Sequence, residues 1–181
     1  MGRYHGGAPD DVFLRTHCEA EGFRSITPVR DRPDVLARYS VTLRADKQRF
    51  PLLLANGNAD GAGDLDDGRH WARFADPHPK PSYLFALVAG KLERIEDTFV
   101  TSEGRRVGLY IHAAADAIGR CGWAMPCLKI AMRWNEARYG RCHDLDVFHI
   151  VATTDFPIGA IDKKGRLTCN SEHLLPDPTP A

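Results

Sequence analysis

The 181-residue sequence has no surplus of charge, no paired-cysteine motif and no long apolar run. Each absence removes a class of function. Lys+Arg and Asp+Glu both number 24, so the formal net charge is zero. Nucleic-acid binders usually carry a basic excess or stripe, and no block of like charge stands out, so nucleic acid is not an expected partner. The longest apolar run, Tyr83 to Ala89, falls far short of the roughly 20 residues of a spanning helix. The opening MGRYHGGAPDDVF has no apolar core of the kind a secretion signal needs. Met1-Gly2 lacks the following Ser or Thr of a myristoylation site. No membrane partner is expected, and a cytoplasmic location is the default.

Five cysteines, Cys18, Cys121, Cys127, Cys142 and Cys169, are widely spaced, and no C-x-x-C occurs. An odd count with such spacing argues against a disulfide framework, and small buried thiols are expected. Catalytic signatures are equally scarce. H-E-x-x-H is absent, and SEHLLP (Ser171 to Pro176) has Glu and His in the wrong order. His143 and His149 lie six apart, a poor spacing for two ligands of one ion. His17-Cys18-Glu19 groups three ligand types, but adjacent residues rarely reach one metal. G-x-S-x-G is missing, and the glycines near Gly104 and in DGAGD lack the lysine of a phosphate loop. The residues thus predict no metal site and no nucleophile.

What is present is a pattern of short strands. YSVTLRA (Tyr39 to Ala45) alternates apolar and polar residues, as a half-buried strand does. PLLLANGN ends in a turn signal, Asp60 to Gly68 reads as an acidic loop, and HWARFAD reads as a further strand. The proline-rich DPHPKP predicts a turn, and Ser82 to Ala89 a buried strand. Ile95 to Thr101 and Val107 to His112 flank SEGR as a hairpin. Gly122 to Tyr139 is the one convincing helix. Trp123, Cys127, Ile130, Ala131 and Trp134 fall on its predicted core face, with Lys129, Arg133 and Glu136 opposite. Asp146 to Thr153 is an apolar strand enclosing His149. The expected fold is mostly β, of the α+β type: an incomplete β-sandwich followed by a small sheet with one main helix.

Two blocks carry a resemblance. HCEAEGFRSITPVRDRPDVLARYSVTLRADKQRFPLLLANGN (His17 to Asn58) and DPHPKPSYLFALVAG (Asp76 to Gly90) resemble the N-terminal β-sandwich of the bacterial aminopeptidase N family of zinc aminopeptidases. The likeness continues through LKIAMRWNEARYG and DLDVFHIVATTDFPIGAIDKKG into NSEHLL. It implies a sandwich over residues 16–90 and the start of a thermolysin-like catalytic domain over 91–175. Residues 1–15 and 176–181 are then expected to be disordered.

The resemblance gives DFPIGAIDKKG a meaning, because the family has a G-A-M-E-N motif at this place. An exposed strand edge aligns an extended peptide through its backbone groups. Small residues such as Gly159 and Ala160 permit close approach. A terminal carboxylate, here Asp162, pairs with the substrate's α-ammonium. The resemblance therefore implies a degenerate substrate-binding set of His17, Gly159, Ala160, Ile161, Asp162 and Lys163. Asp162 is one methylene shorter than the family's Glu. Lys163 replaces an Asn, Ile158 and Ile161 replace methionines, and His17 replaces a glutamine. Lys163 and a protonated His17 would oppose an ammonium. The family's zinc ligands follow the equivalent of NSEHLL, so the 181 residues hold no catalytic or metal residues of that kind. The expectation is an aminopeptidase-like chain without hydrolytic activity of its own. The alternatives are a non-catalytic peptide- or protein-binding β module and one half of a split zinc aminopeptidase. A peptide N-terminus is the expected ligand, and exposed strand edges predict self-association or a partner chain.

Overall fold

The computed structural model describes residues 13–153 and 159–171. The expected disordered end at 176–181, most of that at 1–15, and the substitution at Ile158 lie outside the described residues. The chain forms two compact units that divide between Lys91 and Leu92.

The first unit holds β1 (Leu14–Arg15), β2 (Leu36–Asp46), β3 (Leu52–Ala55), β4 (Asn58–Asp64), β5 (Arg69–Pro81) and β6 (Leu87–Gly90). They form two three-stranded antiparallel sheets, ordered β1-β6-β3 and β2-β5-β4. Cys18, Phe23 and Phe85 make a buried cluster against Tyr39, Val41 and Leu87. The Phe23 and Phe85 rings lie 4.7 Å apart, a separation that favours tilted aromatic pairs. Several buried polar groups in this unit are paired. Ser82 donates to Asp31, and Lys80 pairs with Asp76 while lying 5.2 Å from the Tyr39 ring.

Three local expectations need correction here. Asp60 to Gly68 is not all loop, because β4 occupies its first half. The acidic residues are neutralised in place: Asp60 meets Arg73 at 2.8 Å and Asp64 meets Lys47 at 2.7 Å. Gly63 makes room for Trp71 across the strand pair, since a Cβ there would stand 2.9 Å from the indole Nε1. DPHPKP is strand rather than turn, the second half of β5. Pro77 and Pro79 fall where the β2–β5 register shifts, a place that tolerates missing N–H groups, and β4 pairing stops at Ala75 before the first of them. Ser82 to Ala89 is not one strand either. A 3-10 turn at Ser82–Leu84 precedes β6. Asn56 fastens this bend, accepting from the Ala86 N–H at 2.7 Å and donating to the Leu84 carbonyl at 3.2 Å.

The second unit holds β7 (Glu93–Val100), β8 (Arg106–Ala113), α1 (Ala124–Tyr139), β9 (Val147–Thr153), β10 (Ala160–Asp162) and β11 (Arg166–Asn170). The sheet order is β10-β11-β9-β8-β7, parallel in the two central pairs and antiparallel at both margins. The β7–β8 hairpin and the β9 strand form where their sequence patterns predict them. One sheet face presents Phe99, Val107, Leu109, Ile111, Ile150 and Cys169 to α1.

The helix turns the opposite way from its predicted orientation. Ala124 and Met125 are buried, and Leu128 and Met132 pack on the sheet core. Trp123, Ile130 and Trp134 are 67%, 69% and 59% exposed. The residues assigned to the wet side face the sheet instead. Lys129 pairs with Asp97, Arg133 lies 5.3 Å from the Phe99 ring, and Glu136 accepts from the Ser102 N–H at 3.1 Å. Long side chains cover apolar surface with their stems while their heads find partners at the rim. The two thioethers fill the irregular space beneath. Among the described residues, no helix is long and apolar enough to cross a membrane.

Candidate amine-recognition site

β10 and β11 form a tight hairpin, paired Ala160↔Cys169, Ile161↔Thr168 and Asp162↔Leu167. The Lys163 N–H donates to the Arg166 carbonyl at 2.8 Å and closes a two-residue loop. Both loop residues are left-handed: φ is 51° at Lys164 and 77° at Gly165. Two positive φ values define the hairpin turn that matches strand twist. Gly165 is required here, because a Cβ would also fall 2.6 Å from Leu145 Cδ1. Lys164 is held in this conformation with its Nζ 2.9 Å from Asp144 Oδ2. The Gly165 carbonyl accepts from the His149 N–H at 2.9 Å, tying the loop to β9.

The hairpin makes β10 the outermost strand on its side of the sheet among the described residues. Gly159, Ala160 and Asp162 are exposed, and Ile161 is half-buried. Asp162 keeps contact with solvent, yet the dense protein around the hairpin raises its carboxyl above the ordinary value. The N–H groups of Lys164 and Lys163 and the charges of His143 and Lys163 act in the lowering direction. Strand alternation sends Asp162 and Lys163 to opposite faces, and Lys163 is buried, 3% exposed. His17 is half-buried in the first unit. The other five residues of the predicted set, from Gly159 to Lys163, lie consecutively in the second.

The sequence reading missed a second group of side chains. On the sheet face turned away from α1, the register sets Arg166 beside His149 and His149 beside Tyr110, with His112 one step further along β8. His112 Nε2 and His149 Nδ1 stand 3.1 Å apart. The Tyr110 ring stacks on His149 at 5.0 Å, and the Arg94 guanidinium lies 5.5 Å from the Tyr110 ring. Burial, with help from Arg94 and Arg166, lowers His112 to about 4. Burial, His112, Arg166 and Arg94 lower His149 to about 3. Burial lowers Arg166 to about 9. The available signal was period-two alternation, which puts His149 and Arg166 on the face opposite Ile150 and Leu167.

A zinc ion does not fit these groups. No cluster of three or more His, Cys, Asp or Glu side chains able to hold a metal occurs among the described residues. The two adjacent imidazoles face guanidinium groups rather than carboxylates, so their surroundings repel a cation.

Comparison with known proteins is consistent with the geometry. The Peptidase M1 N-terminal domain matches residues 3–84. Aminopeptidase N of Caulobacter vibrioides is 53% identical over 181 residues, all of this chain and 20% of that protein. Aminopeptidase N of Escherichia coli K12 is 49% identical over 162 residues, 90% of this chain and 19% of that one. A crystal structure of Legionella pneumophila aminopeptidase A in complex with aspartic acid superposes with a TM-score of 0.87 at 34% identity, covering 92% of this chain and 20% of that one. The chain spans about a fifth of the length of these relatives. It matches the Peptidase M1 N-terminal domain through most of its first half and is, along its length, a relative of bacterial aminopeptidase N.

Proposed function

We propose that this chain supplies the peptide-aligning part of an aminopeptidase of the M1 type. The outer edge of β10 receives the first residues of an extended peptide, and Asp162 pairs with its free α-ammonium. One observation supports this above the others: Ala160 and Asp162 on the outermost strand, and Gly159 just before it, are exposed together. Each backbone hydrogen bond gained by strand addition contributes about 0.5–1.5 kcal/mol, and a charge-assisted contact roughly twice a neutral one. The burial of Lys163 favours this reading, because that charge does not share the exposed surface of Asp162.

The reaction proposed for the complete protein is removal of N-terminal amino acids from peptides in the cytoplasm. Zinc chemistry of that kind draws on an H-E-x-x-H helix, and these 181 residues contain none. On our reading the chain recognises peptides and does not cut them alone. Calorimetric titration with alanyl peptides tests the recognition. Free peptides should bind at least about tenfold tighter than N-acetylated ones, a difference of about 1.4 kcal/mol, and Asp162→Asn should remove that preference. Equal binding of free and blocked peptides refutes amine recognition and leaves a module that binds through its strand edge alone. Zinc-dependent release of a chromogenic alanyl group by the purified chain refutes the second half of the proposal.

A further inference from the structure

Arg166 is 1% exposed, and none of its three guanidinium nitrogens has a hydrogen-bond partner. His112 is also 1% exposed, and its Nδ1 is likewise unpartnered. A buried cation without a counter-charge costs several kcal/mol, and each unsatisfied polar atom adds to that. Two such defects on one sheet face, on β11 and β8 with His149 of β9 between them, are more simply read as a receptor lacking its ligand. The groups facing this cluster set the ligand's sign. Arg94 and Arg166 bring positive charge from β7 and β11. The one acid in the adjoining register position, Glu96, is held 3.1 Å from Arg94. His112 and His149 are kept neutral at pH 7, so each ring retains one N–H to donate.

We propose that Arg166, His112 and His149 form a binding site for a carboxylate group. The planar guanidinium fork fits the two oxygens of a carboxylate in parallel. An imidazole N–H of the histidine pair supplies a further donor, and the Tyr110 ring closes one side of His149. Half-buried His149 and Tyr110 mark the approach from solvent. The site is separate from the outer edge of β10, because alternation puts Asp162 on the other face.

Sodium acetate is the probe, with sodium chloride at equal ionic strength as the control, and the full chain is the sample. Acetate should raise the melting temperature saturably. It should also move the NMR titration midpoints of His112 and His149 upward, since a nearby anion favours imidazolium. Arg166→Met should weaken the acetate response by at least about tenfold. It should also melt higher than the unmodified chain without acetate, because it removes an uncompensated buried charge. His112→Gln, which keeps a donor, should retain the Arg166-dependent response and checks against misfolding of the first variant. Sedimentation separates the sources of the group. A monomer that saturates with acetate indicates a small free carboxylate. Self-association that Arg166→Met abolishes and acetate competes away indicates a carboxylate on a second copy. An acetate response no larger than that to chloride, or one unchanged in Arg166→Met, overturns the proposal.

Discussion

His112 Nε2 and His149 Nδ1 face each other at 3.1 Å across two parallel strands, with Tyr110 stacked on His149. One nitrogen donates and the other accepts, so the contact fails once both rings are protonated. Folded His112 and His149 titrate near about 4 and about 3, against about 6.5 in an unfolded chain. Depressed histidines contribute stability above the unfolded value, and that stability is lost as pH falls through the folded ones. The second unit should therefore weaken progressively below pH ~6.5. Melting scans from pH 7.5 to 4 check this, and His149→Phe should flatten the slope. A melting temperature that holds constant down to pH 4 contradicts the buried pair.

Asp162 gives a second pH dependence, this time in binding. Its carboxyl lies above the ordinary value because of desolvation. An ammonium contact needs the carboxylate, so acidification should abolish peptide binding at a higher pH than an ordinary aspartate would. Affinity of a free-amine peptide measured between pH 8 and 4 gives the midpoint. A midpoint at or below about 3.9, the usual aspartate value, contradicts the desolvated setting.

Helix α1 supplies a contrast between two substitutions. Met125→Ala removes a buried side chain and should cost roughly 2–5 kcal/mol. Trp134→Ser alters an exposed one and should change stability by no more than about 0.5 kcal/mol. Urea unfolding of the two variants decides the matter. The reverse order would restore the orientation that the sequence predicts.

That orientation shows where sequence reading succeeds and where it stops. β2 was legible from clean alternation with one apolar face, and β9 from its apolar run. The β7–β8 hairpin was legible from its turn residues. In α1 the stripe of Trp123, Ile130 and Trp134 is the more apolar in composition, yet small and flexible residues fit the sheet more closely. Composition alone does not encode that steric choice. At the candidate site, the Gly159 to Asp162 segment was found through its likeness to a family motif. The Arg166–His149–His112 group was not found, because its members come from three strands and meet only through register.

Gly165 tests the hairpin that carries β10. A side chain there is strained by the positive φ and collides with Leu145. Gly165→Ala should destabilise the second unit by about 1–3 kcal/mol. Hydrogen exchange should show earlier opening of the β10–β11 amides than of β2 and β5. Unchanged protection refutes the turn geometry.

The buried pair in the first unit is open to a double substitution. Lys80 and Asp76 are both nearly solvent-free, and Asp76 also accepts from the His78 N–H at 3.1 Å. Lys80→Met leaves that carboxylate uncompensated and should cost about 3–5 kcal/mol. Replacing both residues with apolar ones should recover part of the loss. A double variant less stable than Lys80→Met alone refutes the pairing argument.

The placement of the tryptophans has an optical consequence. Trp123 and Trp134 lie in water in the folded chain, whereas Trp71 is half-covered beside Gly61 and Gly63. Fluorescence from the first two should be red-shifted before denaturation begins. The spectral change on unfolding should then come mainly from Trp71, so emission follows the first unit and is nearly blind to the second. A probe of helix content, which rests on α1, follows the other half.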